Sequence, residues 1–415
     1  MNKEFFIKNR ERLGETLENN SMLVLFAGEA PYKSADETYN FTPNRNFYYM
    51  TGINRPKMIL MMIKRNNKVT ETLYIEKNDP VMAKWVGEKM SEDTAREISG
   101  VESISFIEEF EDYAGLMFSR TEIDKLYLDL ERQEFDIPMT KSQRFAKAVI
   151  ERYPYLTIKN VYHEICKLRL VKTEEEIELI KKAIDITYEG IKAMWKNAKP
   201  GMMEYEIEAN FDYALKKNGV IDFAFHTIAA AGKNATVLHY GDNNCETTDG
   251  DLMLLDLGAQ YKYYNADISR TFPVNGKFTE RQKAVYNVVL KANEEVTKNV
   301  KPGVPFSRLN EIAREVLTEG CKELGLIKED KELSKYYYHG VSHYLGLDTH
   351  DVGSRDVVLE EGMVLTNEPG LYIEEESIGI RIEDDILVTK DGYENLSAHI
   401  IKSVNDIEKF MEENK

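Results

Sequence analysis

The stretch TEEEIELIKKAIDITYEGIKAMWKNAKPG, residues 173–201, has the features of one long helix. Thr173 and Glu176 form a capping box, and the Lys-Pro-Gly sequence at 199–201 ends the pattern. Apolar side chains recur at helical spacing between these ends, at Ile177, Ile180, Ile184, Tyr188, Ile191 and Trp195. Such a stripe faces the core in most helices, so Trp195 is predicted to be buried rather than to form a binding surface.

A second copy of this arrangement is TERQKAVYNVVLKANEEVTKNVKPG, residues 279–303. Thr279 and Gln282 form its capping box, and another Lys-Pro-Gly sequence ends it. Each copy is followed by a further helical segment that ends near a glycine, Gly219 or Gly325, and then by short apolar runs. The pattern predicts a duplicated unit of two helices followed by strands, and a site can form where two such halves meet.

The first part of the chain has a different pattern, in which short apolar runs alternate with helical segments. MLVLFAG (22–28), KMILMMIK (57–64), TETLYIE (70–76) and KLYLDL (125–130) are predicted strands, and MAKWVGEKMSEDTAREIS (82–99) is a predicted helical segment. Trp85 is expected to pack in the core, with a contribution to a neighbouring subunit's substrate pocket as the alternative. The fold class is therefore α/β (α+β), with a small α/β domain over residues 1–157 and a second domain over residues 158–415.

Composition limits the classes of partner and the location. The 415-residue chain has 72 acidic and 54 basic residues, which gives a formal net charge of -18 at pH 7. This charge disfavours nucleic acid and an anionic membrane surface as partners. The three cysteines are widely separated, and no apolar run reaches the ~20 residues of a membrane helix, so we expect a cytoplasmic protein.

The segment HGVSHYLGLDTHDVG, residues 339–353, contains three histidines of the seven in the chain, His339, His343 and His350. His339 and His343 are one helical turn apart, as in the zinc-binding HExxH pattern. The glycines at 340, 346 and 353 disfavour a regular helix, however, and no glutamate follows His339. Three unrelated surface histidines are the simplest alternative to a binding segment.

Two pairs of predicted strands carry acidic residues where burial is expected. In DLMLLDLGAQYKYYNADISRTFPV, Asp256 follows an apolar run and Asp267 begins the next strand, so a hairpin can bring them face to face. In MVLTNEPGLYI, Glu368 ends a strand, and in GIRIEDDILVT, Arg381 and Glu383 share one face because side chains alternate along a strand. A turn role for Asp256 and a solvent-exposed edge strand for the second pair are the structural alternatives.

Cations would allow these groups to converge. Four carboxylates that meet without positive charge would repel one another strongly. Carboxylates with one imidazole suit Mn²⁺, Co²⁺ or Zn²⁺ in an open site better than a closed structural zinc site. The sequence therefore predicts a metal centre built from both halves of the second domain.

Longer motifs resemble a known family. NADISRTFPVNGKFT, HGVSHYLGLDTHDVG, LTNEPGLYI and GIRIEDDILVT are similar to motifs of the pita-bread metallopeptidases, in particular aminopeptidase P (Xaa-Pro aminopeptidase) and prolidase. The resemblance extends through LRLVKTEEEIELIKKA and TVLHYGDN, and KSADETYNFTPNRNFYYMTGINRP resembles the family's creatinase-like N-terminal domain. It implies a creatinase-like domain over residues 1–157, a pita-bread catalytic domain with an internal pseudo-twofold repeat over residues 158–415, and a homodimer.

The resemblance also implies two divalent metal ions, with Mn²⁺ preferred over Co²⁺ and Zn²⁺. The implied ligands are Asp256, Asp267, His343, Glu368 and Glu383, of which Asp267 and Glu383 bridge the two ions. The residues implied to line the substrate site are His239, His339 and His350. Arg381 is assigned to the same site, where it is expected to orient carboxylates, with a plain salt bridge as the alternative.

The implied activity is hydrolysis of the bond between an N-terminal residue and a following proline by a hydroxide that bridges the metals. We expect His350 to stabilise the oxyanion, Glu368 to pass a proton to the proline nitrogen and His239 to position the leaving side. An Xaa-Pro dipeptidase (prolidase) is the alternative, although Ser342 before His343 favours the aminopeptidase because glycine is commoner there in prolidase. A noncatalytic pita-bread binding protein is a remote alternative that the complete ligand set disfavours.

Overall fold

The computed structural model describes residues 1–131, 134–220 and 222–414. The chain separates into two compact units, Met1–Arg169 and Leu170–Lys415. The domain boundary proposed from the sequence, between residues 157 and 158, falls within a strand that pairs with another strand of the first unit. No helix among the described residues combines the length and the apolar composition that crossing a bilayer requires.

The first unit is a mixed sheet with flanking helices. Its elements in chain order are α1 (Lys3–Thr16), β1 (Ser21–Phe26), β2 (Tyr32–Ser34), β3 (Glu37–Thr38), α2 (Arg45–Thr51), β4 (Ile59–Arg65), β5 (Lys68–Ile75), α3 (Ala83–Val86), α4 (Glu92–Ser99), β6 (Ile104–Phe106), α5 (Ile107–Arg120), β7 (Lys125–Leu128), α6 (Lys141–Arg152), β8 (Thr157–Asn160) and α7 (Tyr162–Leu170). The six-stranded sheet has the order β6-β5-β4-β1-β7-β8. The four strands predicted from the sequence are confirmed and correspond to β1, β4, β5 and β7.

One prediction in this unit holds only in part, and another is wrong. The helical segment expected over residues 82–99 is two short helices, α3 and α4, because Gly87 adopts a φ of +82° after α3 and Ser91 caps α4. Left-handed backbone at glycine ends a helix without steric cost. The side chain of Trp85 is not in the core, since α3 has no buried residue and Trp85 is 81% exposed.

The second unit contains the duplicated arrangement. Its elements are α8 (Glu174–Asn197), α9 (Glu204–Lys217), β9 (Ile228–Ala231), β10 (Leu252–Leu257), β11 (Gln260–Tyr261), β12 (Tyr264–Asn265), β13 (Ile268–Pro273), α10 (Glu280–Lys298), α11 (Phe306–Glu323), β14 (Val364–Asn367), β15 (Gly370–Ile373), β16 (Ile378–Arg381), β17 (Asp384–Thr389), β18 (Gly392–Asn395) and α12 (Val404–Glu413), with 3-10 turns at Gly232–Thr236, Asp330–Lys335 and Glu374–Glu376. Helices α8 and α9 precede a sheet of order β13-β10-β9, and α10 and α11 precede a sheet of order β14-β17-β18. The two halves therefore repeat one order of elements, as the sequence predicted.

The helix ends follow their sequence signals. Both predicted capping boxes are formed, at Thr173 with Glu176 and at Thr279 with Gln282. Satisfying backbone N–H groups in this way fixes where α8 and α10 begin. Trp195 is 1% exposed, so its predicted place in the core is confirmed.

The segment expected to be one strand through GIRIEDDILVT is broken. β16 ends at Arg381 and pairs with β15, whereas β17 begins at Asp384 and pairs with β14. The matching break between β14 and β15 contains Pro369, which has no N–H to donate to a ladder. At the break, the Glu383 N–H donates to the Ser269 carbonyl oxygen of β13 (3.1 Å), which joins the two halves of the unit.

Candidate metal centre

One pair of acidic residues comes from the first half of the second unit. Asp256 lies on β10 and Asp267 directly precedes β13, the strand that pairs antiparallel with β10. Asp267 is buried, and the side chain of Asp256 is 15% exposed. The hairpin thus holds two carboxylates at one end of the strand pair, as the sequence predicted.

The second pair and one histidine come from the other half. Glu368 follows β14, and Glu383 lies at the break between β16 and β17. The Ser269 hydroxyl donates to Glu383 Oε2 (2.7 Å), so a residue of the first half fixes a carboxylate of the second. His343 is held against β14, because its N–H donates to Thr366 Oγ1 (3.2 Å) and its carbonyl oxygen accepts the Thr366 N–H (2.9 Å).

Three of these groups converge closely enough to hold a metal ion. One ligand atom from each of Asp267, His343 and Glu383 lies within 4.8 Å of the other two. His343 Nε2 lies 3.4 Å from Asp267 Oδ2 and 3.7 Å from Glu368 Oε1. His343 Nδ1 faces the Tyr344 carbonyl oxygen (2.9 Å), which can only accept, so Nδ1 carries a proton, and in the neutral ring Nε2 has its lone pair toward the carboxylates. This is the tautomer of a metal-binding imidazole whose second nitrogen is fixed by the chain.

The electrostatics of the cluster favour a cation. Burial raises the pKa of Asp267 well above its ordinary value, and the neighbouring Asp256 and Asp385 carboxylates raise it further. Burial likewise raises the pKa of Glu383, together with the charges of Asp267 and Glu368. Positive charge added among these carboxylates would lower their pKa values and favour their ionised forms.

Unpaired oxygens supply an independent test of fit. Asp256 Oδ1 and Asp267 Oδ1 are buried and have no hydrogen-bond partner within the described chain. A buried carboxylate oxygen without a partner is costly, whereas a hard or borderline metal ion uses such oxygens as ligands. The residues present therefore fit a divalent metal centre.

Arg381 connects the carboxylates to the histidine segment. Its guanidinium donates to Asp256 Oδ2 (2.5 Å), to the Ser269 hydroxyl oxygen (2.9 Å) and to the Tyr372 hydroxyl oxygen (2.8 Å). Burial alone would lower the pKa of Arg381, but Tyr372 and the surrounding acids outweigh it and raise the pKa. These contacts exclude the exposed edge strand considered from the sequence, because Arg381 is buried among its partners.

A cavity of about 440 Å³ opens onto this cluster. It is lined by all the residues that the sequence assigned to the site, namely His239, Asp256, Asp267, His339, His343, His350, Glu368, Arg381 and Glu383. Burial and the Arg381 charge lower the pKa of His339 to about 4. Burial and the His343 ring lower the pKa of His350, so both imidazoles are neutral near pH 7. The His339 ring nitrogens already contact the Gly340 carbonyl oxygen and the Tyr372 hydroxyl group, whereas the neutral His350 ring offers one N–H donor and one acceptor nitrogen beside the carboxylates.

Several residues around the cavity were missed by the sequence analysis. Tyr372 receives a hydrogen bond from Arg381 and contacts His339 Nε2 (2.9 Å), and Ser269 bridges Arg381 to Glu383. Ser269 lies two residues after Asp267, so strand alternation could have placed it on the same face. His226 also lines the cavity, and the loop that carries it has no local motif that would have predicted this.

Comparison with known proteins identifies related chains. The family model for metallopeptidase family M24 matches residues 178–390, and the model for the aminopeptidase P N-terminal domain matches residues 6–127. The Xaa-Pro aminopeptidase of Escherichia coli (strain K12) is 33% identical over 437 residues, which cover 99% of this chain and 98% of that protein. The Xaa-Pro aminopeptidase of Haemophilus influenzae is 33% identical over 430 residues, covering 99% and 97%.

Solved structures give the same relationship. A Bacillus anthracis protein assigned as an aminopeptidase P is 60% identical, with a TM-score of 0.99 over 100% of this chain and 99% of that chain. Escherichia coli aminopeptidase P with the inhibitor Pro-Leu is 32% identical, with a TM-score of 0.92 over 100% and 99%. A zinc-substituted form of the latter in complex with product matches equally well.

Proposed function

The chain belongs to metallopeptidase family M24, and from this premise we infer that it is a metal-dependent aminopeptidase that hydrolyses the bond between an N-terminal residue and a following proline. The observation that carries this inference is the convergence of Asp267, His343 and Glu383 in the lining of a cavity, in a chain that matches Xaa-Pro aminopeptidases along its whole length. A noncatalytic binding role gives no reason for carboxylate oxygens in the lining of that cavity that are buried and have no partner among the described residues.

We propose that five residues hold two divalent ions, with Mn²⁺ as the first choice and Co²⁺ or Zn²⁺ as alternatives. The proposed ligands are Asp256, Asp267, His343, Glu368 and Glu383, and Asp267 and Glu383 are the proposed shared ligands. Their closeness and mutual repulsion support this assignment. When bound, such ions lower the pKa of a water molecule and polarise the scissile carbonyl group.

Glu368 is proposed to move the proton that the leaving group needs. The nitrogen of an Xaa-Pro bond carries no hydrogen, so it must gain one when the bond breaks. Burial raises the pKa of Glu368, which suits a carboxylate that takes a proton from the attacking water and passes it to the proline nitrogen. The Glu368 side chain lies beside His343 and His339, at 3.7 Å from each, so it faces the cavity.

The histidines are proposed to bind and orient the peptide. The neutral imidazole of His350 can donate an N–H to the negative charge that develops on the carbonyl oxygen when water attacks the carbonyl carbon. His239, which is exposed on the cavity wall, is proposed to position the leaving proline. The two ring nitrogens of His339 contact the Gly340 carbonyl oxygen and the Tyr372 hydroxyl group, so the ring has a fixed position in the lining of the substrate site.

Arg381 is proposed to line this site and to orient Asp256 and Glu383. It bonds Asp256 directly and reaches Glu383 through Ser269, so it sets the direction of both carboxylates. A salt bridge alone would not need the third donor, to Tyr372, that ties this network to His339.

We further propose a cytoplasmic homodimer. All three cysteines are free, which suits a reducing compartment. Trp85, Val81 and Val86 form an exposed apolar surface on and beside α3, with side chains 65–81% exposed. An apolar surface of this kind on a folded domain is typical of a protein–protein contact, and a second copy of the chain is the proposed occupant.

Peptide products distinguish the aminopeptidase from a prolidase, whose metal chemistry would be the same. Mn²⁺-loaded protein is given an Xaa-Pro-Yaa tripeptide and the matching Xaa-Pro dipeptide, beside an Asp267→Ala control. Release of the first residue chiefly from the tripeptide is the expected result. Cleavage of the dipeptide alone would identify the protein as a dipeptidase instead. Metal-independent cleavage by the Asp267→Ala control would contradict a metallopeptidase.

A further inference from the structure

The His350 imidazole has little direct support. Its ring packs against that of His343, with the centroids 4.3 Å apart and the planes nearly perpendicular. Within the described part of the chain, no hydrogen bond reaches either of its ring nitrogens. Apart from this packing against His343, the orientation of the side chain depends on its backbone and on the residues that hold that backbone.

The next residue along the chain is fixed by a buried ion pair. Lys172 Nζ lies 2.9 Å from Asp351 Oδ2, and both side chains are 1% exposed. The Asp351 N–H donates to the Tyr344 carbonyl oxygen (2.9 Å), which closes the segment between His343 and His350. The ion pair and this hydrogen bond hold both ends of the histidine segment.

Lys172 is itself held firmly. Its N–H donates to the Gly362 carbonyl oxygen (2.8 Å), and Nζ also reaches the Leu170 carbonyl oxygen (3.4 Å). It lies just before α8, far along the chain from the histidine segment. The anchor of that segment is therefore a separate part of the unit, not the segment's own turn.

The segment closes tightly around the ion pair. A Cβ atom on Gly346 would lie 2.3 Å from Asp351 Oδ2 and 2.9 Å from Lys172 Cε, so only glycine fits there. A glycine that lets the backbone approach a charged group this closely fixes the path of the chain. The pair is thus one constraint on the path from His343 to His350, beside the hydrogen bonds that join Leu345 to Val364 and Gly346 to Asn265.

Burial of this pair is poorly explained by stability. Removing two charges from water is costly, and apolar residues of similar size often stabilise a protein as well or better. A structural reason for the pair is that a hydrogen-bonded ion pair fixes the relative orientation of its two side chains, whereas an apolar contact does not.

We propose that Lys172 and Asp351 are positioning residues that aim the His350 imidazole at the reacting carbonyl group. The role of His350 in this statement rests on the proposed function, whereas the positioning itself does not. Loss of the pair would leave the protein folded and able to bind metal, but with a misdirected imidazole.

The test uses a charge-free replacement of the pair. K172M alone removes the lysine from a buried carboxylate, so K172M/D351L is used to remove both charges together, and D351N gives a conservative change. Leu has the same number of side-chain atoms as Asp, and Met approximates the Lys stem. K298M is the matched control, because Lys298 forms an exposed ion pair with Glu295.

Kinetics separate positioning from a purely structural role. We expect K172M/D351L to have the unfolding free energy and the Mn²⁺ affinity of wild type. Its kcat on an Xaa-Pro-Yaa tripeptide is expected to be roughly 10-fold to 100-fold lower, with little change in KM. In an H350A background, the same double replacement should cost no further kcat. Wild-type kcat in the folded, metal-loaded double variant, or the same loss in both backgrounds, would overturn the proposal.

An activity-independent measurement completes the test. The NMR resonances of the His350 ring are expected to shift in K172M/D351L and in D351N, while those of the exposed His399 stay unchanged in every variant, K298M included. Unchanged His350 resonances would reject the positioning role whatever the protein catalyses. Shifted resonances in a protein that cleaves no Xaa-Pro bond would instead retain the positioning role and reject the proposed function.

Discussion

Two neighbouring carboxylates, Glu383 and Asp384, occupy opposite electrostatic environments. Glu383 faces the cavity, where Asp267 and Glu368 add negative charge and its pKa is raised. Asp384 is equally buried, but Arg270 Nη2 lies 2.7 Å from Oδ1 and Lys402 Nζ lies 2.5 Å from Oδ2. Although burial alone would raise the pKa of Asp384, these two cations hold it well below its ordinary value.

The difference shows what each cluster needs. The Asp384 cluster, defined as Asp384, Arg270 and Lys402, has its positive charge built into the chain. The Glu383 cluster is defined as Glu383, Asp267, Glu368, Asp256 and His343. Arg381 contacts this cluster, but its buried acids still raise one another's pKa. The charges of one cluster are balanced within the chain, whereas the other cluster is proposed to be completed by ions from solution.

Removing a shared carboxylate should give the largest effect. Asp267→Ala or Glu383→Ala is expected to abolish stoichiometric metal binding and to lower kcat/KM by about a thousandfold or more, because the ions contribute several kcal/mol to catalysis. Metal content and tripeptide hydrolysis are measured together. Asp391→Ala, in an exposed turn after β17, is the matched control and should retain both. Full activity in a folded, metal-free Asp267→Ala protein would break the comparison.

Removing a built-in cation should affect stability instead. Arg270→Met leaves Asp384 buried beside one partner and also removes donors to the Glu383 and Ile400 carbonyl oxygens. The expected loss is about 3–5 kcal/mol in the free energy of unfolding, measured by urea denaturation. Lys402→Met should cost less, because the Lys402 side chain is 23% exposed. An unchanged urea midpoint for Arg270→Met would show that Asp384 does not need its partners.

The two clusters should respond to pH with opposite signs. In the metal-free protein, the raised pKa values of Asp267 and Glu383 mean that the folded state binds more protons than the unfolded chain. Stability should therefore fall as pH rises above the unfolded pKa values near ~4, until the folded pKa values are passed. Asp384 contributes stability above ~4 and loses it as pH falls toward its lowered pKa.

A neutral variant isolates the first of these contributions. When the pH is raised from about 5 to about 8, the urea midpoint of metal-free Asp267→Asn is expected to fall less than that of metal-free wild type. Added Mn²⁺ should remove the pH dependence of wild type, since the ions replace the protons. Identical profiles for wild type and Asp267→Asn would contradict the raised pKa of Asp267.

Removing an exposed ion pair should give the smallest change in the free energy of unfolding, and this change is the reference for the buried pairs. Arg308 pairs with Glu315 on α11, where both side chains are largely exposed. Arg308→Met is expected to change the free energy of unfolding by less than about 1 kcal/mol, because solvent screens such pairs. A loss as large as that of Arg270→Met would mean that burial is not what separates the two kinds of cluster.

Much of this arrangement could be predicted from local sequence. The capping boxes at Thr173 and Thr279 determine where α8 and α10 begin, and both are local hydrogen-bond patterns. The apolar run before Asp256 and the alternation around Asp267 were enough to expect a hairpin with two acids. Such signals need only residues near one another in the chain.

Non-local pairing was the part that sequence could not supply. The run from Gly379 to Thr389 alternates like one strand, but β16 and β17 pair with different partners, which no local pattern shows. The same limit applies to Ser269, Arg381 and Tyr372, whose network joins both halves. Trp85 was misjudged because a large apolar residue is usually buried, and its exposure depends on a helix too short to cover it.

Calorimetric titration of the metal-free protein with Mn²⁺ tests the central claim most directly, since it asks whether the Glu383 cluster is completed by ions. We expect two ions per chain in wild type, with protons released on binding, and loss of that binding in Asp267→Asn. Absence of binding in wild type, or the same two ions bound by Asp267→Asn, would contradict the account.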